Sequence, residues 1–281
     1  MGINLEYITL LSSLKARGHL SNKGKVLEFG AQDISAEPSA AANHARRCGV
    51  AHSCSSIDSA RILYELYGLS DYTCIDATAE HGALAYDLNT NLHGTYGFTD
   101  TFDLVTDLGT FEHVFDIASA FRNAHEACKP DGLMIHALPS NCNANHGYYA
   151  IQPRMIADVA AANGYEIIDF VFTVDYHPIL YQFNLENYRN YDDRDLMIYS
   201  VLRKKTDAPF QLPFDSIFTE KNTLTDYQPL FASLAFSSYI KSTWGNVRPI
   251  APEEVPTDIL ALTSRYRSWI KRIVNRIGGF C

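Results

Sequence analysis

Glu112 and His113 stand side by side in the chain, and a second histidine, His146, precedes the aromatic pair Tyr148 and Tyr149. Imidazole, with an ordinary pKa near ~6.5, can accept a proton at neutral pH. A carboxylate and two phenols nearby are groups that can hold a polar acceptor. Upstream, acids mark three apolar runs in succession: Glu28 in Val26-Leu-Glu-Phe-Gly30, Asp76 in Tyr72-Thr-Cys-Ile-Asp76, and Asp87 in Ala83-Leu-Ala-Tyr-Asp87. Aspartate favours such ends in any case, as a solvated turn residue. Three in a row are harder to set aside than one. An acid closing a second strand commonly accepts hydrogen bonds from ribose hydroxyls, which suits Asp76, and Asp87 is placed to meet an adenine edge.

Positioning these groups takes strands that end together. Continuous apolar runs occur at Val26–Phe29, Tyr72–Ile75, Ala83–Tyr86, Phe102–Val105, Leu133–Leu138 and Ile167–Val174. Short apolar runs bounded by turn residues fit strands buried on both faces of a parallel sheet. Helical periodicity lies between them: Ile117, Phe121, Ala124 and Cys128 recur at three-to-four spacing behind a cap at Asp116, and Lys129-Pro-Asp-Gly132 stops that helix. A second helix runs from Pro153 to Ala162 and stops at Asn163-Gly164. The β-α-β rhythm predicts an α/β, Rossmann-like, doubly wound and mostly parallel seven-stranded sheet. Its last strand, Leu196–Arg203, is antiparallel and pairs with Ile167–Val174. The ligand of such a sheet lies in the crevice beyond the carboxyl ends of its strands, where Glu28, Gly30, Glu112 and His113 would meet. The link Asp175 to Asp195, with four tyrosines, reads as a lid or substrate loop. We expect a domain over 1–205, with an N-terminal helix, and an extension over 206–281, irregular and then helical.

Composition removes several function classes. The chain has 281 residues, 47% of them hydrophobic, enough for a large core. A formal charge of -9 disfavours nucleic acid as a partner. No apolar run reaches the ~20 residues of a membrane-spanning helix, and Met1 to Ser13 lack the pattern of a signal peptide. Six cysteines without C-x-x-C pairs suggest reduced thiols and a cytoplasmic setting. No H-E-x-x-H or H-x-x-x-H spacing makes a zinc site. A pyrophosphate reader wants G-x-G-x-x-G, whereas Gly30 is followed by Ala31, Gln32 and Asp33. Acidic groups at this turn, Glu28 and Asp33, better suit a ligand with an amino-acid moiety and a positively charged sulfur, and Gly30 permits close backbone approach.

Val26-Leu-Glu-Phe-Gly30, Ile75-Asp76, Asp87-Leu88, Phe102-Asp-Leu-Val-Thr-Asp107 and Lys129-Pro-Asp-Gly-Leu-Met-Ile-His136 resemble the ordered motifs of class I S-adenosylmethionine-dependent methyltransferases. The resemblance covers roughly 24–203. Gly109-Thr-Phe-Glu-His-Val-Phe-Asp116 is similar to the Glu-His segment of small-molecule O- and N-methyltransferases, and Asn145-His-Gly-Tyr-Tyr149 with Pro153 to a segment of saccharide methyltransferases. It implies S-adenosylmethionine as cofactor, with Glu28 and Gly30 bordering its methionine part, Asp76 on the ribose, Asp87 and Leu88 at the adenine, and Asp107 and Leu108 opening the loop beneath it. The chain departs from the family at Gln32, where a second glycine is usual, so this side chain must point away or touch the cofactor.

Methyl transfer is an in-line displacement, helped by a base when the nucleophile carries a proton. His113 is the first choice for that base and His146 the second, with Glu112, Tyr148 and Tyr149 around a small-molecule acceptor, a sugar or other secondary metabolite. His136, inside a strand, reads as a core residue. No metal is expected, because adjacent residues such as Glu112 and His113 ordinarily point apart. Near the C-terminus, Tyr266, Trp269, Ile270, Ile273, Val274 and Ile277 share one helical face, opposite Arg265, Arg267, Lys271, Arg272 and Arg276. That face suits packing against the main domain or a second subunit, as in a homo-oligomer; an anionic membrane surface is the alternative, and the overall charge disfavours an RNA-facing role. Two other functions fit the same sheet, a nicotinamide-dependent oxidoreductase and a non-catalytic scaffold; the missing glycine pattern counts against the first and the intact acids against the second.

Overall fold

A computed structural model describes residues 2–20, 24–183 and 188–214. The C-terminal amphipathic helix and its proposed packing lie outside the described residues.

One sheet organises the chain. Its strands are β1 (Lys25–Phe29), β2 (Asp71–Asp76), β3 (Leu84–Ala85), β4 (Phe102–Leu108), β5 (Cys128–Asn141), β6 (Glu166–Val174), β7 (Tyr181–Gln182) and β8 (Leu196–Arg203), in spatial order β3-β2-β1-β4-β5-β8-β6-β7. β1 to β5 run parallel, and β8 is antiparallel to both β5 and β6. The expected count of seven becomes eight through β7, two residues of the Asp175–Asp195 link that pair with Val171 and Phe172 of β6. Two-residue strands leave no periodic trace, so this addition was not legible beforehand.

Helices cover both faces, which explains why the strands read as unbroken apolar runs. Val26 and Leu104 face α1 (Leu5–Ala16), α2 (Pro38–Arg47) and α3 (Ala60–Leu66). Leu27, Phe29 and Val105 face the opposite core with α4 (Leu92–Tyr96), α5 (Ile117–Ala127) and α6 (Pro153–Ala162). α5 starts as expected, with the Asp116 carboxylate accepting from Ser119 N at 3.1 Å. α6 spans the expected residues, and Gly164 behind it takes φ +63°. Among the described residues, no helix is long and apolar enough to cross a membrane.

The chain winds outward from β1 through β2 to β3, then crosses back to place β4 on the other side of β1. Strand order reverses between β1 and β4, so the loops following their carboxyl ends flank the crevice in which ligands of such sheets bind. The first of these loops is longer than a simple strand-to-helix turn. Ile34 forms a parallel bridge with Ile3 before Glu37 caps α2.

Candidate active site

The loop after β1 is held closed by the acid that precedes it. Glu28 is fully buried; its Oε2 accepts from the Tyr64 hydroxyl at 2.9 Å, and its Oε1 from the Tyr72 hydroxyl at 2.7 Å and from Gln32 N at 3.3 Å. Burial pushes the Glu28 carboxyl up to about 7, against the opposing pull of those bonds. Glu28 therefore shapes the loop from beneath. Gly30 has φ +83°, and a Cβ there would stand 2.1 Å from Thr110 Oγ1 and 2.8 Å from Gln32 Nε2. Thr110 Oγ1 in turn donates to Phe29 O at 2.9 Å, so the loops after β1 and β4 lie in contact. Gly30→Ala thus meets both strain and collision, and should cost about 2–3 kcal/mol, a Tm drop of roughly 5–10 °C by thermal denaturation. An unchanged Tm would mean that the two loops part easily.

Gln32, the departure from the family pattern, is buried and crosses between these loops, its Nε2 3.4 Å from Thr110 Oγ1. Its Oε1 is buried without a hydrogen-bond partner among the described residues. Asp33 is exposed and lies 3.2 Å from His81 Nε2.

Asp76, at the end of β2, ties two loops together. Its Oδ2 accepts from Ala31 N at 2.8 Å, and its Oδ1 from Thr78 N at 2.8 Å and Thr78 Oγ1 at 3.1 Å. These bonds hold its carboxyl below the usual aspartate value although burial opposes them. Asp76 pairs with Ala85 in the sheet, two residues before Asp87. The exposed Asp87 carboxylate accepts from Asn89 N at 2.9 Å and Asn89 Nδ2 at 2.8 Å. Leu88 is buried, and its carbonyl accepts from Asn123 Nδ2 of α5 at 3.3 Å. The ends of β1, β2 and β3 thus present a continuous rim.

On the far side of β1, Asp107 is fully buried and turned into its own loop. Its Oδ1 accepts from Thr110 N at 3.0 Å and Phe111 N at 3.1 Å, and its Oδ2 lies 3.3 Å from His136 Nδ1. His136 is indeed a core residue of β5. Leu108 is buried beside it. Phe111 anchors the following 3-10 turn (Phe111–His113) between Phe29, Phe121 and His136, with ring centroids 5.3–5.5 Å away. Burying such a ring stabilises by about 1.5–3 kcal/mol, enough to fix the turn.

The turn delivers Glu112 and His113 to one place. Glu112 is fully buried at its floor, and His113 is about half exposed. The loop after β5 closes over them, its left-handed Cys142 and Asn145 bending it back. Tyr148 N donates to Glu112 O at 2.8 Å, and a Cβ on Gly147 would lie 2.8 Å from that oxygen, so only glycine permits this docking. His146 Nε2 comes to 3.4 Å from Glu112 Oε1, and His113 Nε2 to 3.7 Å. The two imidazole centroids are 5.1 Å apart. The expectation that adjacent Glu112 and His113 diverge does not hold, because the 3-10 turn brings both toward His146.

Burial sets the charges here, favouring the neutral acid and the neutral imidazole alike. Burial dominates for Glu112, with Asp107 adding to it, and its carboxyl is raised to about 8. Both imidazoles are pushed below the usual histidine value, by burial first and, for His113, then by His146. The histidines therefore stay neutral and able to accept a proton. Around them, Phe115 and Tyr148 are strongly exposed and meet edge to face at 5.7 Å, while the Tyr149 hydroxyl donates to Phe115 O at 2.6 Å. Tyr176, from the Asp175–Asp195 link, donates to Asn143 Oδ1 of the same loop, and burial raises its phenol above the ordinary value. Its approach had no signal in the sequence beyond tyrosine content.

A sequence model described as a methyltransferase domain matches residues 5–189. The chain belongs to that family. The family resemblance read from the motifs therefore holds, and the protein is an enzyme of the S-adenosylmethionine-dependent methyltransferase class. No curated protein sequence matches it. Among solved structures, the methyltransferase is similar to the 1,6-didemethyltoxoflavin-N1-methyltransferase of Burkholderia thailandensis, crystallised with 1,6-didemethyltoxoflavin and S-adenosylhomocysteine. Identity is 14%, coverage 72% of this chain and 80% of that one, and TM-score 0.42. It is also similar to the N-methyltransferase NodS of Bradyrhizobium japonicum WM9, in complex with S-adenosylhomocysteine, at 10% identity, 72% and 86% coverage, and TM-score 0.42. In the methyltransferase the cluster of Glu112, His113 and His146 is formed by the loops after β4 and β5.

Proposed function

We propose that the methyltransferase moves a methyl group to a hydroxyl, or an amine, of a small molecule such as a sugar or secondary metabolite, with a histidine as general base. The observation that supports this reading is the convergence of Glu112, His113 and His146, on the same two loops that carry the exposed Phe115–Tyr148 pair. S-adenosylmethionine supplies an activated methyl group on a positively charged sulfur.

The residues present fit that cofactor. Gln32 Oε1, buried and without a hydrogen-bond partner among the described residues, is an acceptor suited to the ammonium of an amino-acid moiety. Asp76 retains carboxylate lone pairs for the ribose hydroxyls beyond those used by Ala31 and Thr78. Asp87 and Leu88 edge the adenine end; Glu28, Gly30, Asp107 and Leu108 shape the loops, and Asp33 adds negative charge at the rim. Within the acceptor half, Tyr148 and Tyr149 hold the substrate, Glu112 orients it or the histidines, and neutral His113 accepts its proton at Nε2, with His146 as second base. Tyr148 and Phe115 offer apolar faces on which a sugar ring or an aromatic acceptor can rest.

A formal charge of -9 supports a small molecule over nucleic acid, and Cys48, Cys54, Cys74, Cys128 and Cys142, free of disulfides among the described residues, support a cytoplasmic setting. Methyl transfer from labelled S-adenosylmethionine to a panel of hydroxyl and amine acceptors tests the reading. Labelled hydroxyl products are expected. Confinement of transfer to amines would remove the need for a histidine base.

A further inference from the structure

The Glu112 carboxylate is an unusual object for a protein interior. It is wholly buried, and among the described residues neither of its oxygens has a hydrogen-bond partner; His146 Nε2 lacks one as well. An unsatisfied buried carboxyl costs several kcal/mol unless something compensates it. His146 Nε2 stands 3.4 Å and His113 Nε2 3.7 Å from Glu112 Oε1, and one ligand atom from each of the three residues falls within 4.8 Å of the others. Two ligands on bonds of ~2.0–2.1 Å at a tetrahedral angle stand about 3.4 Å apart. One edge of such a polyhedron is therefore already formed, and the half-exposed His113 needs a small rotation to complete the set.

We propose that Glu112, His113 and His146 bind a divalent transition-metal ion of the zinc type. Two imidazole nitrogens and one carboxylate oxygen match zinc and its first-row neighbours, whereas magnesium and calcium prefer oxygen alone. Three protein ligands leave an open position, the pattern of a catalytic rather than a structural site. Glu112 forms the buried back of the site while both histidines are partly exposed, so the open position lies on the solvent side. The inference rests on the reading of this cluster as the acceptor end of the enzyme. A bound ion would supply Lewis-acid chemistry, its positive charge stabilising the alkoxide of an acceptor hydroxyl placed at the open position. With the ion bound the histidines would hold it and the ion would activate the acceptor; without it His113 keeps the base role proposed above.

The experiment is calorimetric titration of the full chain, first stripped with a chelator and dialysed, with zinc chloride and separately with magnesium chloride. S-adenosylhomocysteine binding is measured on the same samples. One zinc per chain is expected at micromolar affinity or tighter, with no magnesium heat, and Glu112→Gln and His146→Asn should each weaken zinc at least about 100-fold. Should Glu112→Gln fail to fold, the partly exposed His113→Asn and His146→Asn carry the same expectation. Absence of zinc binding, or binding undiminished in these variants, overturns the site. Loss of S-adenosylhomocysteine binding in the stripped wild type would instead count against the cofactor assignment, whatever zinc does.

Discussion

Asp76→Ala is expected to weaken S-adenosylmethionine binding by about 100-fold while the protein stays folded. Hydrogen bonds to a charged acceptor contribute about 1.5–3 kcal/mol each, and tenfold in affinity corresponds to ~1.4 kcal/mol. Losing one or two ribose contacts accounts for most of that loss. The remainder comes from the loops. The same carboxylate anchors Ala31 N and the Thr78 turn, so its removal also loosens the backbone that must approach the cofactor. Asp76→Asn separates the contributions: it keeps an acceptor while removing the charge, and should fall between wild type and alanine. Calorimetry with S-adenosylhomocysteine reads the effect. Unchanged affinity in Asp76→Ala would remove this residue from the ribose.

His113→Ala is expected to lower kcat by about 100-fold, the lower end of what a positioned base contributes, with cofactor affinity within about threefold of wild type. The side chain is half exposed and forms no part of either core, so folding should survive. His146→Ala reports on the same cluster from the loop after β5. Equal losses in the two single variants, with little further loss in the double variant, would show that the histidines act as one unit. Unchanged turnover in His113→Ala would pass the base role to His146.

Much of this architecture was legible because its signals are local. Val26–Phe29, Tyr72–Ile75 and Leu133–Leu138 are largely apolar because helices cover both faces of the sheet, and all are strands. Asp116 announced the start of α5 and Asn163-Gly164 the end of α6. Leu196–Arg203 pairs with β6 as expected, and it also inserts beside β5, a neighbour no periodicity specifies. The candidate site was legible in its residue types but not in its contacts. That Tyr64 and Tyr72 hold Glu28, that Gln32 reaches Thr110, and that Gly147 docks on Glu112 all depend on partners far apart in sequence. Adjacent residues such as Glu112 and His113 ordinarily point apart, and the 3-10 turn that makes them converge has no sequence marker of its own.

The central claim is that the crevice between the β1 and β4 loops holds a sulfur nucleoside. Calorimetric titration of the purified chain with S-adenosylmethionine, S-adenosylhomocysteine and NAD(H), after any copurified nucleoside is identified by mass spectrometry and removed, tests it most directly. Binding of the two sulfur nucleosides and not of NAD(H) is the predicted result. Binding of NAD(H) alone, or of none of them to a folded and demonstrably empty protein, would contradict it.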